Sequence, residues 1–189
     1  MFQHSIHNTF SNIDARGIVA TGSNIYIEGN KITRSTMGGI WLGAELGYYN
    51  EGGFADNVFI RWNILNDVSY SLRGRRQHTT LLGAISVVNE FSNGFKQSDF
   101  KYKRPNRNVV IAENEVNRPG LAALFLNSIW NARVCENNFF NDNNLYFNNV
   151  GTSVFSNIDS RYSIVIHDAS TIKIYKNWVK IGQSTRDMR

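Results

Sequence analysis

The chain has 189 residues, 42% hydrophobic and 19% charged with only two Pro, so it is long enough to bury a core and its composition excludes a disordered chain. Cys135 is the only cysteine, which excludes an intramolecular disulfide and a Cys-based zinc site, and no apolar run approaches the ~20 residues of a membrane span. The net charge of +5 is scattered outside the cluster Arg73, Arg75 and Arg76, which has no base-stacking aromatic run beside it, so neither a nucleic acid nor a membrane is expected as partner.

Residues 1–30 lack the basic and apolar segments of a signal peptide, and His4 and His7 lie in an irregular end. Two kinds of strand then alternate. RGIVATGS from Arg16 is followed by NIYIEGNKI from Asn24, where apolar residues two apart lead to Asn30 and another apolar residue lies two beyond, a pattern of strand, tight bend, strand. GGIWLGAE from Gly38 carries Trp41 and ends on Glu45, and the segment from Leu46 to Asp56 combines Tyr48, Tyr49 and Glu51 with flexible glycines. NVFIRWNIL from Asn57 repeats the bend at Asn63. A long segment over 66–82, with the arginine cluster and His78, leads to GAISVVNE from Gly83, which ends on Glu90. Beyond the segment 91–107 come NVVIAENEV from Asn108, LAALFLNS from Leu121 and NARVCENNF from Asn131. A last long segment, 140–161, precedes YSIVIHDA from Tyr162, with His167 and Asp168, and TIKIYKNWV from Thr171.

The bend residues Asn30, Asn63, Asn114, Asn137 and Asn177 are spaced 33, 51, 23 and 40 positions apart. The smallest gap is a bare coil and the others carry loops, as in a solenoid; Leu or Ala at helical spacing, which a helical repeat needs, does not appear. The expected fold is all-β, a right-handed single-stranded parallel β-helix of the pectate-lyase-like kind, with about five coils. The whole chain, 1–189, reads as one such domain, truncated at its N-terminus.

Alignment of the copies puts Ile18, Ile40, Ile85, Leu124 and Ile164 in one inward column and Ala20, Leu42, Val87, Leu126 and Ile166 in the next. The five bend asparagines form an internal ladder, since Asn tolerates the left-handed conformation and its amide can bond to the next coil. Between the inward columns, Val19, Trp41, Ser86, Phe125 and Val165 point outward, and the apolar ones call for a covering loop.

Three residues past the second inward column stand Glu45 and Glu90, on neighbouring coils. Coils stack ~4.8 Å apart, so the two carboxyl groups are expected to meet and to push one pKa up, as a glycosidase requires of its acid and base. Trp41 on the same face offers a platform for a sugar ring. With Tyr48, Tyr49, Glu51, Asn127 and His167 it makes up the expected substrate-binding set around the catalytic pair. No metal-ligand spacing emerges, and no cofactor is expected.

The segment Ala15 to Leu65, with ARGI, an N-x-I turn, a strand ending in an acid, an aromatic followed by Glu51-Gly52 and a D-x-x-I-x-x-N strand, resembles the β-helix of glycoside hydrolase family 110, exo-acting α-1,3-galactosidases. The likeness continues more loosely to Phe139. It implies hydrolysis of a terminal α-galactosyl residue with inversion, with Glu45 and Glu90 at positions where that family carries acids. The expected partner is an oligo- or polysaccharide, and the full-length protein is expected to be secreted, periplasmic or on the cell surface. Two other readings stay open. A polysaccharide lyase would use a basic residue and suit the positive charge; a non-catalytic adhesin, spike or carbohydrate-binding module would bind without turnover.

Overall fold

The computed structural model describes residues 2–44, 52–69, 83–89, 104–120, 122–141 and 163–181. Among them there are fifteen β-strands and no helix. The chain makes repeated circuits of three strands. β1 (Gln3–Ile6), β2 (Thr9–Ile13) and β3 (Arg16–Ala20) form the first; β4 (Ser23–Glu28), β5 (Lys31–Ser35) and β6 (Gly38–Leu42) the second; β7 (Asp56–Arg61), β8 (Ile64–Asn66) and β9 (Gly83–Val87) the third. β10 (Asn106–Ala112) and β11 (Glu115–Asn117) begin the fourth. β12 (Ala122–Cys135) completes it and opens the fifth, which passes through β13 (Asn138–Asn141) into β14 (Ile164–Tyr175) and β15 (Trp178–Ile181).

Each strand pairs in parallel with its equivalent one circuit on. One flank runs β1-β4-β7-β10-β12, a second β3-β6-β9-β12, and a third β2-β5-β8-β11-β13-β15; β14 pairs β12 along nearly its whole length. Strands β12 and β14 are long because no loop interrupts the passage from the second flank to the first; the chain turns within β12 at Ser128 and Asn131, both with positive φ. The architecture is a parallel β-helix, as the strand-bend-strand copies predict.

Register sets the core. Ile25, Val58 and Val109 fall in one column, Ile27, Ile60 and Ile111 in the next, and all six are buried. On the third flank Ile32, Leu65, Val116 and Phe139 are equally closed, and on the second Ile40, Ile85 and Leu124 stand beside Leu42, Val87 and Leu126. All belong to one apolar cluster. The inward columns were therefore legible, but they fade at the last coil, where Ile166 is 37% and Ile174 47% exposed. On β1 the same positions are occupied by Gln3 and Ser5, opposite Ile25 and Ile27.

The asparagine ladder is present and has one rung more than the repeat suggests. Asn30 donates its side-chain amide to the Asn63 side-chain oxygen, Asn63 to Asn114, Asn114 to Asn137 and Asn137 to Asn177, each at 2.9 Å. Asn8 donates to Asn30 at 3.1 Å, ahead of the first recognised copy. The expected backbone role of these residues is corrected by the structure. The left-handed residue is the one before each asparagine: His7, Gly29, Trp62, Glu113, Glu136 and Lys176, with φ between 53° and 64°. Five of the six carry a Cβ, at a cost of roughly 1–2 kcal/mol each, and the inter-coil amide bonds at the next residue offset it. The asparagine is there for its side chain.

Asparagine's tolerance of the left-handed region is used instead at the start of each copy. Asn24, Asn57, Asn108, Asn131 and Thr171 all have φ near 55–58°. Here a second amide stack forms: Asn57 donates to Asn24 at 2.7 Å and Asn131 to Asn108 at 2.7 Å.

Candidate functional site

The ends of β6 and β9 hold the expected chemistry, so their alignment decides what the sequence positions mean. Ile40 pairs with Ile85, Trp41 with Ser86 and Leu42 with Val87. The pairing continues past the strands: Val88 N–H donates to the Leu42 carbonyl at 2.9 Å, and the Ala44 N–H donates to the Asn89 side-chain oxygen at 3.1 Å. Gly43 makes this approach possible. A Cβ at that residue would lie 2.0 Å from the Val88 carbonyl oxygen, and its φ of 131° also favours glycine. The two chain ends thus stay in step through Ala44 and Asn89, each one residue short of an expected catalytic glutamate.

Glu45 and Glu90 lie outside the described residues, as do Tyr48, Tyr49 and Glu51. Of the remaining expected binding residues, Asn127 and His167 are register partners on β12 and β14. Asn127 is buried, and its main-chain carbonyl accepts a bond from the Asn106 side chain at 3.5 Å.

Trp41 requires a correction. It points out of the sheet as the alternation demands, but it is 1% exposed and forms a second apolar cluster with Val88 and Phe125, against which Met37 and Val165 pack. Arg16 lies 4.8 Å from the centre of its ring. An indole so enclosed offers no open face to a sugar. The outward apolar column is buried where it passes through this cluster, at Trp41 and Phe125, while Val19 at the end of the column stays exposed.

Three donors near this cluster are buried without a hydrogen-bond partner among the described residues, Arg16 Nε, Trp41 Nε1 and Asn89 Nδ2. Orphan donors of this kind are uncommon in folded proteins. Among the described residues no three His, Cys, Asp or Glu side chains cluster as a metal site.

The other outward face, on β1-β4-β7-β10-β12-β14, was not singled out by sequence. The third residue of each nine-residue copy forms its central column, Tyr26, Phe59, Val110, Arg133 and Lys173, and His4 on β1 precedes them as the register partner of Tyr26. His4, Tyr26 and Phe59 stack with successive ring centres 5.1 Å apart and planes within 11°. The signal was visible, because these residues occupy one position of an aligned repeat, but attention to inward apolar residues passes over them.

Coil-to-coil charge pairs decorate the surface. Arg61 meets Glu28 at 2.7 Å, Arg107 meets Asp56 at 2.9 Å, Arg118 meets Asp67 at 2.6 Å and Lys176 meets Glu136 at 3.3 Å. The hydrogen bond from Arg118 holds the Asp67 carboxyl below the ordinary carboxylate range; partial burial opposes this, and the charges of Arg118 and Arg34 reinforce it. No family model and no curated protein matches the chain.

Proposed function

We propose that this protein is a carbohydrate-active β-helix in which Glu45 and Glu90 form the acid–base pair of a glycoside hydrolase acting on an oligo- or polysaccharide. One observation supports the reading above others: the register of β6 with β9 is kept through the bond between Ala44 and Asn89, so each glutamate follows directly on a residue held against its counterpart. Two carboxyl groups on adjacent coils repel when both are ionised, which raises the pKa of one and leaves it protonated to act as acid.

The finer reading is an exo-acting α-galactosidase working with inversion. One glutamate protonates the departing glycosidic oxygen; the other takes a proton from a water molecule that attacks the anomeric carbon from the opposite side. Inversion requires the carboxyl groups to stand about 6.5–9.5 Å apart, whereas retention uses about 5 Å.

The test is turnover of neutral and acidic oligosaccharides, α-galactosides included, by the wild type and by Glu45→Gln and Glu90→Gln. Loss of hydrolysis in both variants with unchanged melting supports the pair, and proton NMR of the first product anomer distinguishes inversion from retention. Full activity in both variants removes these residues from the mechanism.

A further inference from the structure

Along the surface of the helix, neighbouring coils meet charge with opposite charge: Glu28 with Arg61, Asp56 with Arg107, Asp67 with Arg118 and Glu136 with Lys176. One column departs from this. Arg133 on β12 and Lys173 on β14 are direct register partners, both exposed, and among the described residues neither forms an ion pair. Like charges on directly opposed strand positions, ~4.8 Å apart across the sheet, destabilise the pairing.

These two cations border a groove of about 360 Å³ on the outer face of the first flank. Its lining includes Asn57, Phe59, Asn108 and Val110 as well as Arg133 and Lys173. The groove has a simple origin. The central column steps from the stacked rings of Tyr26 and Phe59 to the short Val110 and then to the two long cations, so the space lies over Val110. Aromatic carbon bounds one end and positive charge the other. The amides of Asn57 and Asn108 stand along one side; Asn57 is held by its bond to Asn24, and Asn108 by donating to the Asp56 carboxylate and accepting from Asn131.

We infer that this groove binds an anionic oligosaccharide, one whose sugar units carry carboxylate groups. Paired cations that form no ion pair among the described residues call for an anion, and charge-assisted bonds to Arg and Lys are the strong ones. Phe59 and Val110 suit the apolar face of a pyranose, and a row of amides suits its hydroxyl groups. The rings of His4, Tyr26 and Phe59 are stacked on one another, which leaves no row of free faces for nucleobases. The groove lies on the first flank, whereas β6 and β9 belong to the second, and it does not depend on the chemistry proposed for Glu45 and Glu90.

The experiment is titration calorimetry with tetragalacturonate, with its carboxyl-reduced, uncharged counterpart, and with an oligothymidylate of equal charge. Tetragalacturonate binds, more weakly as salt rises, and the neutral oligosaccharide binds at least tenfold more weakly. Arg133→Gln and Lys173→Gln each lower the affinity on the order of tenfold, the size of one charge-assisted contact. Lys173→Glu abolishes binding and raises the melting temperature, because it supplies the missing counter-charge to Arg133. Glu45→Gln and Glu90→Gln leave binding unchanged, which separates this site from the hydrolase reading. The inference is overturned if tetragalacturonate does not bind, if the Gln variants bind it as well as the wild type, or if oligothymidylate binds equally tightly.

Discussion

The side-chain oxygen of Asn114 accepts both the main-chain N–H of Asn63, at 3.1 Å, and its side-chain N–H, at 2.9 Å, so one amide ties together two turns of chain 51 positions apart. Asn114 also donates to the Ile60 carbonyl at 2.9 Å and is 1% exposed. Replacement by Leu keeps the volume but leaves the Asn63 N–H and the Ile60 carbonyl buried and unpaired. At about 1–3 kcal/mol per orphaned group, Asn114→Leu should cost about 3–5 kcal/mol. Asn8→Ala, at the exposed end of the ladder, should cost under about 1 kcal/mol. Thermal melts of the two variants test the gradient, and equal losses would sink it.

At the start of the fifth copy, Thr171 holds φ of 58° where the four preceding copies have asparagine. A β-branched residue is poorly suited to that conformation, and threonine cannot extend the amide stack beyond Asn131. Thr171→Asn relieves the strain and supplies a donor to Asn131, as Asn131 supplies one to Asn108 at 2.7 Å. The variant should be more stable by about 0.5–1 kcal/mol. A lower melting temperature would show that the backbone there is held by other contacts.

The amount of fold legible in the sequence follows from which interactions leave a periodic trace. The columns of Ile27, Ile60 and Ile111 and the ladder through Asn63, Asn114 and Asn137 recur at fixed positions in every coil, so alignment alone finds them. Asn8 leaves no such trace because its strand offers Gln3 and Ser5 where the other copies have Ile, Val or Ala, so apolar alternation does not extend to it. Trp41 shows the converse. Alternation correctly gives its direction, out of the sheet, but whether an outward side chain is open or enclosed depends on Phe125 and Val88, residues 84 and 47 positions away. The glutamate pair was read from the same alignment, and only its supports, Ala44 and Asn89, are described residues. The two cations leave no periodic trace, since Arg133 and Lys173 share a column with Tyr26, Phe59 and Val110 and recur on only two coils.

Asp67 gives the surface a pH dependence whose sign follows from its depressed pKa. A carboxyl with a folded value below its unfolded one, ~3.9, contributes its stability above that pH and loses it as pH falls through the folded value. The side chains are 37% exposed at Asp67 and 59% at Arg118, so solvent screening holds the pair to at most about 1 kcal/mol. Asp67→Asn should therefore melt slightly below the wild type at pH 6, and the gap should close between pH 4 and pH 2. A gap that is constant over this range would show that the pair with Arg118 does not contribute through charge.

Trp41 separates packing from ligand binding. A solvent-facing platform can be truncated with little effect on stability, whereas the enclosed indole packs with Val88, Phe125, Met37 and Val165 and stacks under Arg16. Trp41→Ala should cost about 3–5 kcal/mol, the range for deleting a buried large aromatic side chain. Trp41→Phe is the informative companion. The indole N–H has no hydrogen-bond partner among the described residues, so the ring's nitrogen contributes nothing that Phe lacks, and only part of the volume is lost. This variant should cost about 1–2 kcal/mol, a fraction of the alanine effect, and should keep the Arg16 contact, since a phenyl face still attracts a guanidinium. If Trp41→Ala instead melts like the wild type while weakening sugar binding, the indole faces a ligand and its enclosure does not stabilise the fold. If Trp41→Phe is as damaging as Trp41→Ala, the N–H bonds to a group on which folding depends.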